Sequence, residues 1–178
     1  MLFELDKHLS KVTARAMAQQ SLEERQRDIY DSHRHRVFSV SYYMTGSELE
    51  AEQILQGAFV RAFRAAPEPD CGVIDSALVD QLRTQRVLEE GEALPPPEIG
   101  YLPQRNNILR TELEEAIRCL PPGERLVFLL MDVEGYSAAR VAELLQMNPS
   151  QVLRSALTAR LRLRAELAAM RASDCEAA

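Results

Sequence analysis

Pro95-Pro96-Pro97, with Pro103 close behind, cuts this chain of 178 residues just past its middle. Consecutive prolines remove backbone donors and hold φ near one value, so no helix or central strand runs through them. The segment reads as a stiff connector and marks a domain boundary. On either side of it strand signals are nearly absent. No run alternates cleanly with period two, and β-branched residues are sparse. Helix starts and stops recur instead.

Before the prolines, residues 3–20 predict a leading helix with loose apolar spacing. Ser21-Leu-Glu-Glu24 reads as a capping box, in which the Ser oxygen takes a backbone N–H and the Glu reaches back. It opens a helix carrying Leu22, Ile29, Val37, Phe38 and Tyr42, closed near Gly46. Ser47-Glu-Leu-Glu50 repeats the device. The helix after it buries Leu49 or Ala51, then Ile54, Leu55, Ala58, Phe59 and Phe63, and stops before Pro67 and Pro69. A weaker helix runs from about Asp75 to Glu90, with Leu78, Leu82 and Val87 inward.

Beyond the prolines, residues 107–120 predict a helix with Ile108 or Leu109, Leu113, Ala116, Ile117 and Leu120 on its apolar face. Pro121-Pro122 breaks it, and Pro122 suits the first turn of the next helix. That helix uses Leu126, Val127, Leu129, Leu130 and Val133, and ends at Gly135. Ser137 caps a short helix with Val141, Leu144 and Leu145. Asn148-Pro149 caps and starts a last, long one, where Val152, Ala156, Ala159, Leu163, Leu167 and Met170 share a face. A short helix, a tight turn and a longer helix are the layout of a helix-turn-helix. The fold class is thus all-α, with two small helical domains. The first spans residues 1–92, of which 1–20 are an extra leading segment. The connector is 93–105, the helix-turn-helix domain 106–172 and the tail 173–178.

Several function classes fall away. Charged residues make up 27% of the chain, and no stretch approaches the roughly 18 apolar residues of a membrane helix. The start, Met-Leu-Phe-Glu-Leu-Asp, lacks a basic-then-apolar export pattern, so the expectation is a cytoplasmic protein without a membrane partner. Three widely spaced cysteines form neither a disulfide framework nor a CxxC pair. Cys119, on an apolar helix, reads as a small core residue, whereas Cys71 and Cys175 sit in polar surroundings. His33 and His35, two apart, point to different sides of a helix and do not chelate one metal. Without a Gly-rich phosphate loop or a nucleophile signature, neither an enzyme nor a cofactor is expected.

Net charge is −6, and its distribution says more than its sum. Residues 65–104 hold eight acids against Arg83 and Arg86. Residues 148–172 hold Arg154, Arg160, Arg162, Arg164 and Arg171 against Glu166 alone. The end of the chain suits a polyanion and the middle repels one. The acidic middle is also a candidate to fold onto the arginine-rich helix and occlude it.

The segment Leu120-Pro-Pro-Gly-Glu-Arg-Leu-Val-Phe-Leu-Leu130, then Glu134-Gly-Tyr-Ser-Ala-Ala-Arg-Val-Ala142, then Val152 through Arg164, resembles the promoter-recognition domain of extracytoplasmic-function sigma factors. Gly46 through Phe63, with Tyr30 and Val37, is similar to that family's polymerase-binding domain. The resemblance implies a protein that binds core RNA polymerase and lays its last helix in the major groove of promoter DNA. Carried over residue by residue, it assigns DNA contact to Ser137, Arg140, Ser150, Gln151, Arg154, Ser155, Thr158, Arg160 and Arg162. Gln53, Gln56 and Arg61 fall at polymerase-binding positions. A protein regulator such as an anti-sigma factor is a further partner of that family.

Departures from the family pattern are informative. Gln53 and Gly57 stand where it has acids, and Arg140 where it has an acid. The Ser-Arg pair of the last helix is inverted to Arg154-Ser155, and the first Arg of its Arg-Ala-Arg is Thr158. No Phe, Tyr or Trp lies between Phe63 and Tyr101, so the aromatic residues that capture unstacked bases are missing from their usual place. Leu153, Leu157 and Leu161, at i, i+4 and i+8, replace polar or basic residues. The stripe either widens the core face or packs against the first domain, a second copy or another protein.

Overall fold

A computed structural model describes residues 2–89 and 108–176, with side chains described for 21–89 and 108–170. The connector at 93–105 lies outside the described residues. Every regular element within them is helical: α1 (Leu2–Thr45), α2 (Glu48–Ala65), α3 (Cys71–Thr84), α4 (Arg110–Cys119), α5 (Pro122–Phe128, continued by a π-turn at Leu129–Val133), α6 (Ala138–Leu145) and α7 (Pro149–Glu176). Among the described residues, no helix is long and apolar enough to cross a membrane.

Helices α1, α2 and α3 form the first unit. Gly46 sits at φ +73°, which a glycine adopts without a Cβ penalty, and it turns the chain from α1 into α2. Ser47 then caps α2, its Oγ accepting from the Glu50 N–H. The apolar face of α2, including Ile54, Leu55, Ala58 and Phe59, is buried against Val37, Val40 and Met44 of α1 and Ile74, Leu78 and Leu82 of α3. Removing the Ile54 side chain, which is fully buried, would cost about 2–5 kcal/mol through lost transfer energy and the cavity left behind.

Two boundaries differ from the sequence expectation. Ser21 does not open a helix: α1 runs through it without a break. Residues 2–20 contain neither Gly nor Pro, so nothing stops helix propagation upstream of the box. The third helix starts at Cys71, not near Asp75, because Asp70 Oδ1 accepts from the Val73 N–H at 2.8 Å and caps it. It ends at Thr84 rather than near Glu90, and Arg86 just beyond it adopts φ +61°.

Helices α4 to α7 form the second unit. Pro122 occupies the first turn of α5, and Leu126, Val127, Leu129 and Leu130 line its core. The inward stripe of α7 is the expected one, with Val152, Ala156, Ala159, Leu163 and Leu167 buried. Helix α4 is less buried than its pattern suggests. Ala116, Ile117 and Leu120 are inside, while Ile108, Leu109 and Leu113 are exposed. Cys119 is exposed, not core. It follows Ala116 and Ile117 by about 300° and 200° of helical rotation, which turns it off their face.

The two units share one continuous core. Arg125 of α5 bridges them: Nη1 donates to Met44 O at the end of α1 at 2.8 Å, and Nη2 donates to Leu120 O at 2.8 Å and to Arg118 O. One planar guanidinium thus satisfies carbonyls at the ends of two helices.

Candidate nucleic-acid interface

The helix-turn-helix comprises α6, the turn at 146–148 and α7. Ser137 caps α6, its Oγ accepting from the Arg140 N–H at 3.2 Å. Gln146 closes α6 in the left-handed conformation, and the Met147 N–H returns to Ala142 O. Asn148 then starts α7: its Oδ1 accepts from the Ser150 N–H at 2.9 Å, while Gln151 Oε1 accepts from the Asn148 N–H at 3.0 Å. This reciprocal cap fixes the angle at which α7 leaves the turn.

The outward face of α7 carries Ser150, Leu153, Arg154 and Leu157, all exposed. The other residues assigned to DNA hold structural partners as well. Ser137 and Gln151 cap helices, and Thr158 donates to Arg154 O. Arg160 pairs with Asp132 of the π-turn at 2.8 Å. Arg162 pairs with Glu124 of α5 at 2.9 Å, with side chains only 13% and 20% exposed. Arg140 pairs with Glu143 at 2.8 Å. Ser155 is half-buried. Among the described residues of this helix, Arg154 and Arg164 are exposed and carry no ion pair. The stripe does not widen the core: Leu153 and Leu157 are 55% and 56% exposed, and Leu161 is half-buried.

On α2, Gln53 and Gln56 point to solvent. Arg61 crosses to α3, donating to Gln81 Oε1 at 3.0 Å and Thr84 Oγ1 at 2.9 Å. A Cβ at Gly57 would lie 2.4 Å from Gln81 Nε2. Glycine there leaves room for the Gln81 amide that accepts from Arg61.

Sequence reasoning missed a polar cluster between the two units. Asp75 of α3 is 3% exposed and accepts from Arg36 Nη1 of α1 at 2.5 Å. Tyr136, ahead of α6, donates its hydroxyl to Asp75 Oδ2 at 2.9 Å and accepts from Arg36 Nη1 at 2.9 Å. Cys71 Sγ lies 3.5 Å from both Asp75 Oδ2 and Tyr136 Oη. Burial, with the bonds to Cys71 and Asp75, pushes the Tyr136 phenol well above its ordinary value, so it stays protonated. Burial also raises the carboxyl pKa of Glu134 nearby, against a smaller pull from Arg36. The described part of the acidic middle therefore folds as α3 against α6, not onto the arginines of α7.

Residues 29–86 match the family model of sigma-70 region 2, and residues 110–163 that of sigma-70 region 4. The ECF RNA polymerase sigma factor SigE of Mycolicibacterium smegmatis is 27% identical over 128 residues, covering 62% of this chain and 49% of the relative. The chain belongs to the extracytoplasmic-function sigma factor family. It spans about half the length of that curated relative. The fold is also similar to that of the sigma factor RpoE of Bartonella quintana, solved in complex with the anti-sigma factor NepR. That likeness has a TM-score of 0.55 and 14% identity over 84% of this chain and 95% of the other. In sigma-factor terms, α1 to α3 hold the region 2 match and α4 to α7 the region 4 match. The polar cluster, with Asp75 buried at its centre, sits where the two regions meet.

Proposed function

We propose that this sigma factor binds core RNA polymerase through α1 to α3 and brings it to promoter DNA through α6 and α7. The observation that carries the reading is the outward face of α7. A helix held at its start by a reciprocal cap presents Ser150 and Arg154 to solvent, with Arg164 further along. A major groove about 12 Å wide admits such a helix, with α6 crossing the phosphate backbone. Gln53 and Gln56 are the polymerase-facing candidates on α2. With Arg160 and Arg162 already paired, the phosphate footprint is small, and affinity should rest on few contacts. A pull-down on core polymerase coupled to transcription in vitro tests the reading. Co-purification with promoter-dependent transcripts supports it; neither polymerase binding nor any transcript rejects it.

The exposure of Leu153 and Leu157 favours a second reading. In it α7 meets a protein partner, an anti-sigma factor or a second copy, and strand opening is lost along with the aromatic residues. The RpoE neighbour, solved with its anti-sigma factor, illustrates that sigma factors take such partners.

A further inference from the structure

The first two turns of α7 show solvent an unusual mixture of groups. Ser150, Leu153, Arg154 and Leu157 are exposed and fall within about 100° of the helix circumference. Arg154 carries no ion pair among the described residues, whereas Arg160 and Arg162 of the same helix are held by Asp132 and Glu124. One unpaired guanidinium and one hydroxyl thus stand beside two leucines that belong to no core. Leucines so placed are too few for a large contact. Together they offer on the order of 200 Å², far below the roughly 800 Å² per partner of a stable protein interface. A protein laid over them would also have to desolvate Arg154, which costs affinity unless an acid meets it.

A major groove satisfies both kinds of group at once. Guanine offers O6 and N7 to a guanidinium, and thymine offers its C5-methyl to an apolar side chain. Along the axis of α7, Arg154 and Leu157 are about 4.5 Å apart, and Leu153 and Leu157 about 6 Å. A base step rises about 3.4 Å, so the three side chains sample neighbouring steps of one site. We propose that Leu153 and Leu157 are specificity-determining residues that read thymine methyl groups next to a guanine read by Arg154. The proposal rests on the reading of α6 and α7 as DNA-binding and adds the base chemistry that α7 recognises. Sequence is read here partly through van der Waals contact and exclusion of water. A pyrimidine that bears a methyl is thereby told from an otherwise identical one that lacks it.

The test selects bound sites from a randomised duplex library with the full chain and core RNA polymerase, against core polymerase alone. Each thymine of an enriched motif is then replaced singly by deoxyuridine, which removes the methyl and keeps every hydrogen-bonding group. The expected motif holds a guanine with thymines within two steps of it. Binding should weaken about fourfold for each methyl removed, the worth of one buried methylene-sized group. Leu153→Ala and Leu157→Ala should each abolish the discrimination at one thymine and spare it at the other, with folding checked by circular dichroism. Arg154→Ala should relax the guanine and leave the thymine-to-deoxyuridine ratio unchanged. Equal binding of thymine and deoxyuridine duplexes by the unaltered protein would overturn the methyl readout, whatever the variants do. Discrimination that survives both leucine substitutions would overturn the assignment to these residues. So would loss of self-association on gel filtration in the leucine variants with discrimination intact, which places the leucines between copies of the chain. No motif enriched beyond core polymerase alone would reject the DNA-binding reading itself.

Discussion

Arg162 of α7 and Glu124 of α5 form an ion pair at 2.9 Å, both side chains largely withdrawn from solvent. The pair ties the long helix to the start of α5. Removing one partner leaves the other charge part-buried, so Arg162→Ala should lower stability by about 1–3 kcal/mol, less than for a fully buried pair. Arg154 is exposed and should behave oppositely. Arg154→Ala should leave the urea midpoint unchanged, weaken duplex binding and reduce the salt slope by about 1. Urea melts and a salt titration of both variants would separate the roles. Equal loss of stability in the two would contradict this division.

Arg125 should be among the most sensitive positions in the molecule. Its guanidinium serves Met44 O, Leu120 O and Arg118 O, and burial lowers its pKa. Arg125→Ala strands those carbonyls, at about 2–4 kcal/mol, which corresponds to a Tm fall of roughly 5–10 °C. Arg125→Lys should not restore it, since one ammonium cannot reproduce a planar fork. Thermal melts of both variants decide this, and full rescue by lysine would show that charge alone suffices.

The inward face of α7 is legible in the sequence because Val152, Ala156, Ala159, Leu163 and Leu167 recur at helical spacing, and local periodicity is what a linear reading measures. Asp75 is not. It stands among eight acids in residues 65–104 and reads as solvated, while its partners Arg36 and Tyr136 are 39 and 61 positions away. Pairing at such distance leaves no periodic trace. The roles of Arg160 and Arg162 are hidden for the same reason, since Asp132 and Glu124 lie on other elements. Ser21 shows the opposite failure: a correct local motif overridden because the residues before it also favour helix.

Glu134 makes stability depend on pH in a definite direction. Its folded pKa is raised by burial, so protonation favours the fold. The contribution is fully present below the ordinary carboxylate value and is lost as pH rises through the folded one. At neutral pH the ionised side chain is a penalty. Glu134→Gln should therefore raise Tm at neutral pH, and the advantage should vanish at about pH 4 or below. Melts of both proteins across that range test it. A variant less stable at neutral pH would mean that attraction to Arg36 outweighs burial.

Leu157→Lys separates the two functional readings by sign. Leu157 is 56% exposed on α7, and leucine and lysine have similar helix propensities, so stability should change by less than about 0.5 kcal/mol. If α7 enters a major groove, an added cation on its outward face should tighten duplex binding and steepen the salt dependence by about one phosphate contact. If the leucines meet a protein, a charge placed in an apolar contact should abolish the complex or the self-association. Gel filtration over a range of concentrations, beside the duplex titration, reads both. Tighter DNA binding with unchanged oligomeric state supports the promoter-binding role. Lost association with unaltered DNA binding assigns the stripe to a partner protein.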